Sequence, residues 1–141
     1  MKSLYVSALL LTLGLAGCGS PVKTIGTPPP PPLPNIAGTW NGTINMDHMT
    51  PNLVVILTED STGKLTGSVS STSGCSCNFT VEVSGKIYAD YSFSVQTEDA
   101  TLLLSGSLAN NNVDASGFVN IGQGPYQCGP VNGAPFALGK Q

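Results

Sequence analysis

The sequence predicts an all-β fold: an eight-stranded antiparallel up-and-down β-barrel, following a signal peptide and a disordered proline-rich linker. Three observations carry this prediction. The composition is rich in turn formers, with 17 Gly and 11 Pro, and only 9% of residues are charged, which suits short strands better than long helices. Apolar residues alternate with polar ones at a period of two over most of residues 36–141, the mark of strands with one buried face. Short turn-forming clusters separate these stretches. At 141 residues the chain is long enough for one domain.

Residues 1–17 read as a lipoprotein signal peptide. Lys2 supplies a weak positive start, and Leu4 to Leu15 form an apolar stretch that is too short for the roughly 20 residues of a spanning helix. Leu15-Ala16-Gly17-Cys18 follows. This resembles the lipobox of bacterial lipoproteins, and the resemblance implies a diacylglyceryl thioether on Cys18, cleavage before it and acylation of the new amine. Two or three acyl chains hold a bilayer firmly at about 0.8 kcal/mol per buried methylene. Gly19 stands where an Asp would favour the inner membrane, so the resemblance points to the outer membrane, facing either the periplasm or the outside. Residues 18–35 are the lipidated N-terminus and its linker. The run Pro28 to Pro32, then Leu33 and Pro34, favours polyproline II, a semi-rigid spacer rising ~3.1 Å per residue.

The barrel domain, 36–141, is expected to hold strands at about 36–46, 52–59, 64–71, 78–88, 91–97, 100–108, 113–120 and 133–139. Phe79, Val81, Val83 and Ile87 alternate with Thr80, Glu82, Ser84 and Lys86; Tyr91, Phe93 and Val95 alternate with Ser92, Ser94 and Gln96. Turns are expected at Asp60–Gly63, Ala89-Asp90, Glu98-Asp99 and Asn110–Asn112. Hairpins in sequence order form a meander, and closure into a barrel removes the exposed edges. A weak repeat of the form apolar, Ser/Thr, Gly, any, apolar recurs at Leu65–Val69, Val83–Ile87, Leu104–Leu108 and Ala115–Val119, with Ile36–Trp40 a looser copy. Each glycine is in phase with the inward residues, where it permits sharp coiling.

Gly38-Thr39-Trp40 at the start of the first strand resembles the opening motif of lipocalins and avidins, both eight-stranded up-and-down barrels. Gly63–Val69 resembles the second hairpin of avidins. Lipocalins pack an Arg across this Trp and avidins line their site with several Trp; this chain has no Arg and one Trp. It also resembles small bacterial lipoproteins with a lipobox, linker, G-x-W opening, repeated Ser-Gly strands and a late Cys before the last strand, here Cys128. That resemblance implies fold and location, and no activity.

In an up-and-down barrel successive connections alternate between ends, so those at 47–51, 72–77, 98–99 and 121–132 share one end. Cys75, Cys77 and Cys128 therefore meet there, as a disulfide requires, and an exported compartment permits one. The resemblance to late-Cys lipoproteins favours Cys75–Cys128, with Cys77–Cys128 the alternative. The same end carries Met46, Asp47, His48 and Met49. Thioether, imidazole and thiolate suit a soft metal such as Cu(I), although a loop with two methionines above a disulfide explains the same residues, and no metal site is assigned.

Net charge is −3 with no Arg, which excludes nucleic-acid binding and removes the usual bidentate phosphate partner. All eight acids but only Lys64, Lys86 and Lys140 belong to the barrel domain, so it should not cling to anionic headgroups. Glu59-Asp60 and Glu98-Asp99 flank turns at opposite ends and read as solvated carboxylates. No nucleophile–base set, G-x-S-x-G elbow, HExxH or phosphate loop occurs, so neither an enzyme nor a bound cofactor is expected. Two functions remain. One is a non-catalytic binding module, meeting an unknown protein through the loops distal to the membrane, with His48, Met49 and Tyr126 as contacts. The other is a carrier of a small apolar ligand inside the barrel, lined by Trp40, Ile44, Leu53, Val55, Leu57, Phe79, Val81, Phe93, Leu102, Leu104, Phe136 and Leu138.

Overall fold

Eight strands follow one another around a closed antiparallel barrel, each hydrogen-bonded to the next and the last to the first. The computed structural model describes residues 26–72, 77–124, 126 and 128–141; the segment read as a signal peptide, Cys18 and Cys75 lie outside them. The strands are β1 (Gly38–Ile44), β2 (Asn52–Glu59), β3 (Lys64–Thr72), β4 (Phe79–Ile87), β5 (Ser92–Gln96), β6 (Leu102–Leu108), β7 (Asp114–Ile121) and β8 (Val131–Lys140). Closure comes from β1 on β8, with Trp40 opposite Lys140 and Ile44 opposite Phe136.

Four hairpin turns share one construction. In turns 60–63, 88–91, 97–100 and 109–112 the fourth residue's N–H donates to the first residue's carbonyl at 3.0 Å. That fourth residue sits at positive φ: Gly63 (77°), Tyr91 (67°), Ala100 (55°) and Asn112 (56°). This is the tight turn followed by a left-handed residue that suits the twist of short hairpins. An Asx side chain secures each turn. Asp60 Oδ1 accepts from Thr62 N–H at 2.7 Å and Thr62 Oγ1 at 2.6 Å. Asp90 does the same for Ser92 and Asp99 for Thr101, while Asn111 accepts from the N–H groups of Val113 and Asp114. These hydrogen bonds, led by those from Thr62, Ser92 and Thr97, hold the carboxyls of Asp60, Asp90 and Asp99 below the usual value of 3.8.

The inward faces form one core cluster that runs from Ile36, Trp40 and Leu57 through Val69, Val95 and Leu104 to Val119, Phe136 and Leu138. Glycines set how tightly the wall coils around it. A Cβ on Gly85 would lie 1.8 Å from the carbonyl oxygen of Ser94, and one on Gly67 1.9 Å from that of Ile56, so the neighbouring backbone occupies the space of a side chain. One registered row reads Phe93, Gly106, Gly117, Phe136 across β5 to β8. The two glycines bring the flanking strands close enough for the Phe93 and Phe136 rings to meet, with centroids 6.3 Å apart. Over Trp40 lies the Lys140 ammonium, 5.4 Å from the ring centroid, a cation supplied by the last strand in a chain without Arg.

Candidate functional site: the distal mouth

The chain reaches the barrel at the end holding the 60–63, 88–91 and 109–113 connections, and it seals that end itself. Pro34 and Ile36 are buried. Ile36 donates its N–H to Glu59 Oε2 at 2.9 Å and accepts the Trp40 indole N–H at 2.8 Å. Glu59 thus differs from a merely solvated carboxylate: it anchors the entering chain. Lys64, Lys86 and Lys140 each stand at the end of a strand on this side, here called the proximal end.

At the opposite, distal end the sequence-derived geometry meets one correction. The disulfide joins Cys77 to Cys128, with Cα atoms 4.4 Å apart; the expected Cys75–Cys128 pairing does not form. Cys77 continues the inward phase of Phe79 and Val81 one step beyond β4 and is fully buried, which puts its sulfur inside the mouth where Cys128 arrives. Cys75 lies outside the described residues. The sharing of one end by Cys77 and Cys128 follows the topology, as the alternation of connections requires.

A short ladder explains what this bridge secures. Only Ser84–Ile87 of β4 pair with β5, so from Phe79 to Val83 the ladder runs to β3 alone. Phe79 and Val81, expected in the interior, are in consequence half-buried. Tyr126 fills the gap beside them. Its ring packs edge-on against Phe79, centroids 5.1 Å apart, and its hydroxyl makes a 2.8 Å hydrogen bond with Thr101 Oγ1 on the β5–β6 turn. Tyr126 is therefore part of the wall that closes the mouth. The break in the β4–β5 ladder that gives Tyr126 this place has no local signal in the sequence.

Where β8 begins, a bulge turns the strand toward the mouth. Val119 pairs with Ala134 but Ile121 with Val131, leaving two residues of β8 against Asn120. Gly133 takes the left-handed conformation there (φ 68°), and its N–H donates to Asn120 Oδ1 at 2.7 Å. Across from it stands the β1–β2 hairpin. Met46 and Met49 form a β-bridge, each N–H donating to the other's carbonyl at 3.0 and 3.3 Å. Both are half-buried against the core, and Asp47 and His48 are exposed at the tip between them. Residues 45–49 and 130–135 line a depression of about 370 Å³. Of the three proposed contacts, His48 and Met49 thus share this depression, while Tyr126 is built into the wall. Ser71, inward on β3, is 1% exposed, and its hydroxyl has no hydrogen-bond partner among the described residues.

Acidic side chains do not converge. Asp99 is engaged in its turn at the distal end, and Asp60 in its own at the proximal end. Among the described residues no three His, Cys, Asp or Glu side chains gather into a metal-holding group. Compared with known proteins, the chain matches no family model, no curated protein and no solved structure.

Proposed function

We propose that this protein is a lipoprotein whose barrel stands off a bacterial membrane, by position in the outer membrane, and binds a partner through the distal mouth without catalysis. The observation that carries the reading is the polarity of the barrel. Pro34 and Ile36 are seated in one end, so a chain anchored at Cys18 turns that end to the bilayer and leaves the other free. The free end holds the 45–51 and 122–130 connections, the second pinned to the barrel by Cys77–Cys128. Loops fixed on a rigid scaffold are the usual seat of recognition. The exposed residues there include Asp47, His48, Gln123 and Asn132, with carboxylates at Asp47, Glu98 and Asp99 and all three lysines of the barrel at the other end. A basic or neutral partner fits this end better than an acidic one.

Two experiments test the reading. Palmitate labelling should mark the wild-type chain and be abolished in Cys18→Ser; equal label in both refutes the anchor. Photocrosslinkers at Gln123 and at Asn111, on opposite ends, should capture a specific partner only from Gln123. Capture from Asn111 instead refutes the distal binding end.

A further inference from the structure

We infer that the β1–β2 hairpin is a binding site for a soft monovalent metal ion of the Cu(I) class, held by the thioethers of Met46 and Met49 with the imidazole of His48. Beyond Met1 the chain has two methionines and one histidine, and all three fall within four consecutive residues. The fold then brings the methionines together. They are bridge partners, and residues directly opposite in an antiparallel pair carry their side chains on the same face, with Cβ atoms about 4.5–5.5 Å apart. Two thioethers so spaced can approach one ion, and the intervening turn adds an imidazole within reach. Met46, His48 and Met49 line the same depression of about 370 Å³, so an ion can enter from solvent.

Donor chemistry sets the ion. Thioether sulfur is a soft, uncharged ligand that favours Cu(I) over hard or borderline divalent ions, and imidazole accepts copper equally well. Hard cations would need a cluster of carboxylates, and only Asp47 stands at the tip of this hairpin, residues 45–51. Its charge, with Glu98 and Asp99 at the same end and the lysines at the other, gives the distal mouth a potential that favours a cation. Methionines partly packed on the core carry little bound water, so their thioethers give up little hydration when they ligate a soft ion, and the ion's lost hydration is offset by the sulfur ligands. The inference goes beyond the proposed function and does not rest on it, since the donors come from the barrel whether or not Cys18 carries lipid.

Silver(I) is the probe, because it shares Cu(I) coordination and does not change oxidation state under the assay conditions. The full-length protein is first treated with iodoacetamide, so that free thiols cannot compete. Titration against a competing chelator should then show one Ag(I) per chain. Met46→Leu and Met49→Leu should each weaken binding at least tenfold and together abolish it; Leu for Met conserves volume and keeps the hairpin packed. His48→Ala should weaken binding severalfold, and the Met methyl NMR signals should shift on Ag(I) addition. Absence of Ag(I) binding by the wild type overturns the site, as does unchanged affinity in the double Leu variant. If His48→Ala leaves the affinity unchanged, the imidazole's part in the site is refuted. Unaltered thermal unfolding of the Leu variants separates loss of ligands from loss of fold, and binding is compared in Cys18→Ser to keep this result apart from anchoring.

Discussion

The two ends of the barrel are closed by different physics. At the proximal end every connection between strands is a short turn made by its own residues, with Asp60, Asp90 and Asn111 capping their neighbours' N–H groups; only the entering chain, Pro34 and Ile36, is held from afar, by Glu59. At the distal end the decisive contacts are remote in sequence: Cys77 with Cys128, 51 residues apart, Thr101 with Tyr126, 25 apart, and Phe79 with Tyr126. Local contacts make an end robust and uniform. Long-range ones allow long loops to be held in a defined shape, which is what a recognition surface needs.

Opening the distal end should produce the largest effect. With Cys77→Ala and Cys128→Ala together, the unfolded chain regains the freedom of a 51-residue loop, and the expected loss is roughly 4 kcal/mol, read by guanidinium unfolding. A loss below about 1 kcal/mol would show that the distal end is held by other means. The matching change at the proximal end is Ile36→Ala. Ile36 is 1% exposed, and its truncation should cost about 3 kcal/mol while leaving distal crosslinking unchanged. Smaller again is Tyr126→Phe, which keeps the ring on Phe79 but removes the hydroxyl from Thr101; about 1 kcal/mol and faster amide exchange at residues 97–101 are expected. Slower exchange there would contradict the gap-filling role.

Acid should distinguish the ends most gently. The folded-state pKa values of Asp60, Asp90 and Asp99 lie below 3.8. Their stabilising contribution is thus fully present above about pH 4 and is lost as pH falls through the lowered values. Two of the three belong to proximal turns, so amide protection there, measured relative to the intrinsic exchange rate at each pH, should fall in acid before it does beside the disulfide. Replacing all three by Asn, which keeps an acceptor at each turn, should flatten the dependence of Tm on pH in that range. An unchanged acid slope would show that the carboxylates are not its source.

Legibility in the sequence follows the same division. All eight strands lie close to their expected places because alternation is local, and the end shared by Cys77 and Cys128 follows from counting connections. The D-x-S/T pattern at Asp60, Asp90 and Asp99 was present in the sequence too, as a recurring spacing of carboxylate and hydroxyl. Identity of the bridging cysteine was less accessible, since Cys75 and Cys77 share the same parity and only the arrival point of Cys128 separates them. The place of Tyr126 is hidden for a related reason: it depends on β5 ending at Gln96, which leaves β4 paired to β3 alone at the level of Phe79. Lys140 over Trp40 depends on pairing between the first and last strands, 100 residues apart in number.

That pairing has a consequence for the order of assembly. Until Lys140 has been synthesised, β1 and β7 each present an open edge, and no earlier portion of the chain can close the cylinder. Closure must wait for contacts of the largest sequence separation in the molecule, a topology that folds slowly and keeps strand edges exposed to other chains meanwhile. Ribosomal synthesis, at roughly 5–20 residues per second, therefore delivers an unfinished sheet for most of its course. A chain truncated before Val131 should remain in that state and self-associate rather than form a smaller barrel.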